Sequence, residues 1–132
     1  MSVIESQAVT INKSDEDIFN FISDFTNFAE LMPPQVQDVK ITQDRCSFSI
    51  EGMPSIQLKI SERTPFSCVK MEAEDGKLPF TLRCSLKNTT EKQCIAQFHF
   101  EAALNPMMKM MVAKPLGNFL NLLADKLKEI KS

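Results

Sequence analysis

The spacing of apolar residues along the chain changes from strand-like to helical, back to alternating, and finally to helical again. Val3 to Ile11 predicts a first strand. Ser14-Asp-Glu-Asp17 then reads as a helix start, with Ser14 as N-cap and acids in the first turn complementing the helix dipole. Ile18, Phe19, Phe21, Ile22 and Phe25 continue it at helical spacing. A second short helix is expected over Thr26 to Leu31, with Phe28 turned inward and Pro33-Pro34 ending it. From Val39 the period becomes two. The alternating runs are Val39/Ile41, Phe48/Ile50, Ile56/Leu58/Ile60, Val69/Met71/Ala73, Phe80/Leu82/Cys84/Leu86 and Cys94/Ala96/Phe98/Phe100/Ala102. Polar residues fill the gaps, which predicts a six-strand antiparallel meander with one dry and one wet face. Gln43-Asp44, Gly52, Asp75-Gly76 and Asn88-Thr89-Thr90 carry turn chemistry between the runs. The helical period returns in Val112, Leu116, Phe119, Leu120, Leu123, Leu127 and Ile130, and this stripe needs the dry face of the sheet as its partner.

The chain has 132 residues, which predicts a single domain spanning 1–132 with a core large enough to need no staples. Net charge is −2, which offers no general electrostatic case for nucleic acid or anionic lipid, although a local basic patch stays open. The start MSVIESQAVTI lacks a basic region followed by an apolar run, and no stretch is apolar enough to span a bilayer. These features predict a soluble cytoplasmic protein without an integral membrane segment. Cys46, Cys68, Cys84 and Cys94 show no metal-ligand spacing. They are expected to be free thiols acting as small hydrophobes. Cys84 and Cys94 flank a predicted turn that can bring them face to face, which leaves a disulfide between them open as the alternative.

Four of the eight methionines, Met107, Met108, Met110 and Met111, fall within five residues. They cover an arc of about 160° on an ideal helix, too wide for one soft-metal site. Only Met108 and Val112 join the later leucine stripe. Pro115 is expected to kink or break the helix near Val112 to Lys114, leaving the methionines on a separate short turn. Core packing and an adaptable wall for a variable apolar ligand both remain open for them.

Chemistry is sparse. His99, the single histidine, shares a strand face with Gln97 and Glu101 and reads as a surface residue. Asp24 is the best-placed carboxylate, and capping the second helix is its expected role. No phosphate loop, Tyr or Trp is present. No catalytic residue, metal ligand or cofactor is assigned.

Asp17-Ile-Phe-Asn-Phe-Ile-Ser-Asp-Phe25, Leu31-Met-Pro-Pro34 and Pro115-Leu-Gly-Asn-Phe-Leu-Asn-Leu-Leu123, in this order of elements, resemble the START-like/Bet v 1-like superfamily, which includes polyketide cyclases and coenzyme-Q-binding proteins. The resemblance implies an α+β helix-grip fold. In it a seven-stranded curved antiparallel sheet, in the order β-α-α-β6-α, wraps around the long C-terminal helix. It also implies an apolar cavity between the two. The residues expected to line it are Phe28, Met32, Phe48, Ile50, Leu58, Met71 and Phe80, with Leu82, Phe98, Phe100, Met108, Met111, Val112 and Leu116. The function implied is binding or transport of a small apolar ligand such as a lipid, quinone or isoprenoid. The alternatives are a cyclase-like or dehydratase-like enzyme, which needs His99 or Arg83 turned inward, and a ligand-free module that binds a protein partner. The residues do not set the oligomeric state.

Overall fold

A computed structural model of the chain describes residues 2–32, 36–50, 55–74 and 80–130. Strands β1 (Ser2–Glu5) and β2 (Val9–Ile11) precede helix α1 (Asp15–Ile22) and a 3₁₀ helix over Phe25–Glu30. The meander follows as β3 (Gln37–Ile41), β4 (Arg45–Ser49), β5 (Ile56–Thr64), β6 (Cys68–Ala73), β7 (Phe80–Thr90) and β8 (Gln93–Ala102). Helix α2 runs over Pro106–Lys128. Sheet order is β1-β8-β7-β6-β5-β4-β3, with β2 also paired to β8, and every pair is antiparallel.

The predicted first strand is split, so the described sheet has eight strands where seven were expected. The break occurs at Ser6, whose hydroxyl points inward and is buried. It accepts the Phe98 N–H at 3.0 Å, while the Ser6 N–H donates to the Phe98 carbonyl at 2.9 Å. Ser6→Ala leaves the Phe98 N–H buried with no acceptor. It is expected to lower unfolding free energy by about 1–3 kcal/mol, read from the urea midpoint. A midpoint equal to wild type would show that water replaces the hydroxyl.

Both predicted helix caps are present. The Asp17 N–H donates to Ser14 Oγ at 3.1 Å. Asp24 accepts the Thr26 hydroxyl at 2.7 Å and the Thr26 N–H at 2.9 Å. The hydroxyl bond first, and the amide bond second, hold the Asp24 carboxyl below its ordinary pKa, because both favour the charged form.

Three local expectations are corrected, and one turn is present that residue order did not signal. The β5–β6 connection is a tight turn at Thr64-Pro65-Phe66-Ser67, with the Ser67 N–H donating to the Thr64 carbonyl at 3.1 Å. Pro65 presets its entry, and Phe66 adopts the positive φ of 64° that a type II turn requires, its ring held edge-on to Phe19 at 5.7 Å. The β7–β8 strands run past Asn88 to Thr90, and Cys94 therefore lies opposite Asn88 while Cys84 lies opposite Phe98. All four cysteines are free. Asp38 takes φ 56° where the β3–β4 register shifts between Gln37 and Lys40, and Val39 is exposed instead of joining the dry face. Finally, α2 continues through Pro115. Proline there gives up its own N–H bond to the carbonyl four residues back, and the packing of seven buried residues on this helix outweighs that loss. Gly52, Asp75-Gly76 and Pro33-Pro34 lie outside the described residues.

The core lies between the sheet and α2. Leu116, Phe119, Leu120, Leu123, Ala124 and Leu127 pack against the inward residues of the strands. Phe119 meets Phe48 of β4 with ring centroids 5.1 Å apart, so the helix crosses from its β1/β2/β8 side toward the far strands.

Candidate functional site

Strand phase makes the inner wall of the grip from carbon and sulfur. Phe28, Phe48, Leu58, Met71, Leu82, Phe98, Phe100, Val112 and Leu116 are all buried. Met32, Ile50, Phe80 and Met108 are half-buried. Met111 faces outward at 65% exposure. It lies about 100° around the helix from its buried neighbour Val112, and because α2 is continuous nothing swings it back.

Three inward cysteines keep this wall neutral. Burial pushes the Cys46 thiol up to about 12 and the Cys84 thiol higher still, and it raises Cys94 as well. Cys68 points to the wet face and is raised chiefly by partial burial, with Arg83 opposing. The unfolded chain ionises Cys46 from near 9.0, while the native state holds its proton to about 12. Between those values the unfolded state has released a proton that the native state retains. The contribution of Cys46 is complete below pH 9 and is lost as pH rises toward 12. Unfolding midpoints between pH 8 and 11 are expected to fall less steeply in Cys46→Val than in the wild type, and parallel slopes would refute this.

The two ends of the grip differ in the residues described there. At one end α1 and the 3₁₀ helix close over the strand turns. Asn88 donates to Asp15 at 3.3 Å, the Phe25 N–H donates to the Gln43 carbonyl at 2.9 Å, and Phe19 rests on Phe66. Arg63 adds bonds to the Ser23 carbonyl at 2.8 Å and to Asp44 at 2.9 Å. The register places the beginnings of β3, β5 and β7 and the ends of β4, β6 and β8 at the opposite end. There Val36, Ile50, Phe80 and Leu104 pack on the core yet remain partly exposed. Helix α2 enters at that same end, three residues after β8, and none of its described residues before Val112 is buried.

The polar groups gather on the other face of the sheet. His99 Nδ1 lies 2.5 Å from Glu5 Oε2, and its Nε2 lies 2.8 Å from Ser85 Oγ. This array joins β1, β8 and β7 and leaves the histidine side chain only 15% exposed, so it is a clasp across three strands and not the free surface residue expected. Neither Glu5 nor Ser85 adjoins His99 in sequence, and only the strand register brings them together. Arg83 pairs with Glu101 on the same face. That pair borders a shallow polar concavity of about 410 Å³, also lined by Glu62, Thr64, Cys68, Lys70 and Thr81. A second, of about 320 Å³, holds the Arg45–Glu74 pair. Neither His99 nor Arg83 projects between sheet and helix, which is what the enzyme alternative needed.

A curved antiparallel sheet closed over two short helices and filled by one long C-terminal helix is the helix-grip fold of the START-like/Bet v 1-like superfamily, and this chain has it. A START superfamily protein from Mycobacterium smegmatis superposes with TM-score 0.71 at 16% identity, over 96% of this chain and 94% of that one. Norcoclaurine synthase from Thalictrum flavum, in complex with dopamine and hydroxybenzaldehyde, superposes with TM-score 0.74 at 16% identity, over 99% and 88%. The protein XoxI from Bacillus cereus gives 0.66 at 11% identity, over 98% and 97%. No protein-family model and no curated protein matches the sequence. Among the described residues, no helix is long and apolar enough to cross a membrane.

Proposed function

We propose that the protein binds or carries a small apolar ligand, of the lipid, quinone or isoprenoid kind, held between the sheet and α2. The observation that carries this reading is the asymmetry of the grip. Among the described residues, one end is closed by helices and hydrogen bonds, while at the other Ile50, Phe80, Leu104 and Met108 are half-buried. Apolar side chains left half-covered at the rim of an apolar wall favour an apolar guest, because it removes their surface from water along with its own. The wall offers few polar groups to orient a substrate or move a proton, so binding is favoured over catalysis.

Native mass spectrometry of the gently purified protein, followed by titration with a ubiquinone analogue, a fatty acid and a prenyl alcohol, tests the reading. A one-to-one adduct that is lost on denaturation is expected with at least one class. No adduct from purification and no uptake of any class would overturn it.

A further inference from the structure

Sulfur is divided unevenly between the surface and the core. Met107, Met110 and Met111 stand at positions i, i+3 and i+4 of one face of α2, and they are 72%, 82% and 65% exposed. Met32 and Met108 are half-buried, and Met71 is fully buried on the inner wall. Met1 and Met53 lie outside the described residues. The thiols are poorly placed to react. Cys46, Cys84 and Cys94 are buried and Cys68 is half-buried, and burial pushes every one of these thiols up, so each keeps its proton at neutral pH. Oxidants attack a thiol through its thiolate, whereas a thioether has no proton to lose before its sulfur reacts. Tyr and Trp, which would compete for oxidant, do not occur in the chain. Among the described residues, the most exposed sulfur-bearing side chains are therefore these three methionines.

We propose that the start of α2 is a reversible oxidation site, at which hydrogen peroxide converts Met107, Met110 and Met111 to sulfoxides on the folded protein. At each sulfur an S–O bond forms as the peroxide O–O bond breaks. The sulfur gives up two electrons, and the remaining oxygen leaves as water, taking over the proton of the transferred one. A thiol-dependent sulfoxide reductase reverses the change, with the oxygen leaving as water while two thiols close to a disulfide. The products are polar groups that already stand in solvent, so the core keeps its packing. The exposed apolar stripe of α2 becomes polar, and the inner wall with Met71 is spared. The proposal rests on exposure alone and is independent of the ligand-binding reading.

Treatment of the full-length protein with hydrogen peroxide at pH 6 and at pH 8, with each methionine followed by fragment-resolved mass spectrometry, tests it. Met107, Met110 and Met111 are expected to gain oxygen about tenfold faster than Met71, at rates that do not change between the two pH values. In urea the four rates should converge. Protein oxidised at the three sites should keep the urea midpoint of untreated protein. Reductases for both sulfoxide epimers, supplied with dithiothreitol, should return it to its original mass while it stays folded. Native rates at the three sites no higher than at Met71 overturn the proposal, because the face is then covered in solution. A preference that persists in urea overturns it as well, since its cause is then local sequence and not exposure. Sulfoxides that the reductases leave in place on the folded protein do the same.

Discussion

Phe98→Ala is expected to lower the free energy of unfolding by about 3–5 kcal/mol. Phe98 is fully buried in β8, which pairs with β7 on one edge and with both β1 and β2 on the other. Its amide and carbonyl also hold the Ser6 break. The surroundings are therefore anchored on both edges and have little freedom to collapse into the space the ring leaves. A loss of that size is a large share of the roughly 5–15 kcal/mol that ordinary domains possess. Phe80→Ala is the control. Its ring stacks on Phe100 at 4.9 Å but remains partly exposed at the start of β7, so its removal should cost about half as much or less. Urea unfolding of both variants decides the matter, and equal midpoint shifts would mean that the surroundings of Phe98 yield as readily as those of Phe80.

Met108→Asp is expected to weaken binding of an apolar ligand by roughly thirtyfold or more while the fold is retained, because a carboxylate at the rim must be desolvated against the guest. This position separates binding from stability. Met108 is the third helical residue after the Asn105 cap, and its N–H already donates to Asn105 Oδ1 at 2.8 Å. A carboxylate in that first turn complements the helix dipole. The urea midpoint should therefore match or exceed that of the wild type. Uptake of the best ligand from the mass-spectrometric series, titrated against both proteins, supplies the comparison. Unchanged affinity in a folded Met108→Asp protein would remove the start of α2 from the binding site.

The strand and helix periods were legible because burial on one face writes itself directly into residue order. Phe48, Leu58, Met71, Leu82, Phe98 and Phe100 all stand on the dry face as alternation requires, and Leu116 to Leu127 pack on it. The caps at Ser14 and Asp24 were legible for a similar reason, since each bond spans three residues or fewer. The Pro65-Phe66 turn was missed because Phe66 is a poor residue for a positive φ, and a contact with the distant Phe19 holds it there. The break at Ser6 was missed because a serine inside a strand pattern carries no signal until Phe98 lies opposite it.

The candidate site divides along the same line. Residue order determined that the chain would present one apolar sheet face and one amphipathic C-terminal helix to cover it, because both follow from local period. The tertiary structure decided which methionines reach that wall. Helix α2 runs unbroken through Pro115, placing Met108 at the rim and Met107, Met110 and Met111 in solvent. It also decided that His99 would be clasped by Glu5 and Ser85 on the outer face. Both outcomes depend on long-range packing and strand register, where residues far apart in the chain meet, and local periodicity cannot encode which distant partner arrives.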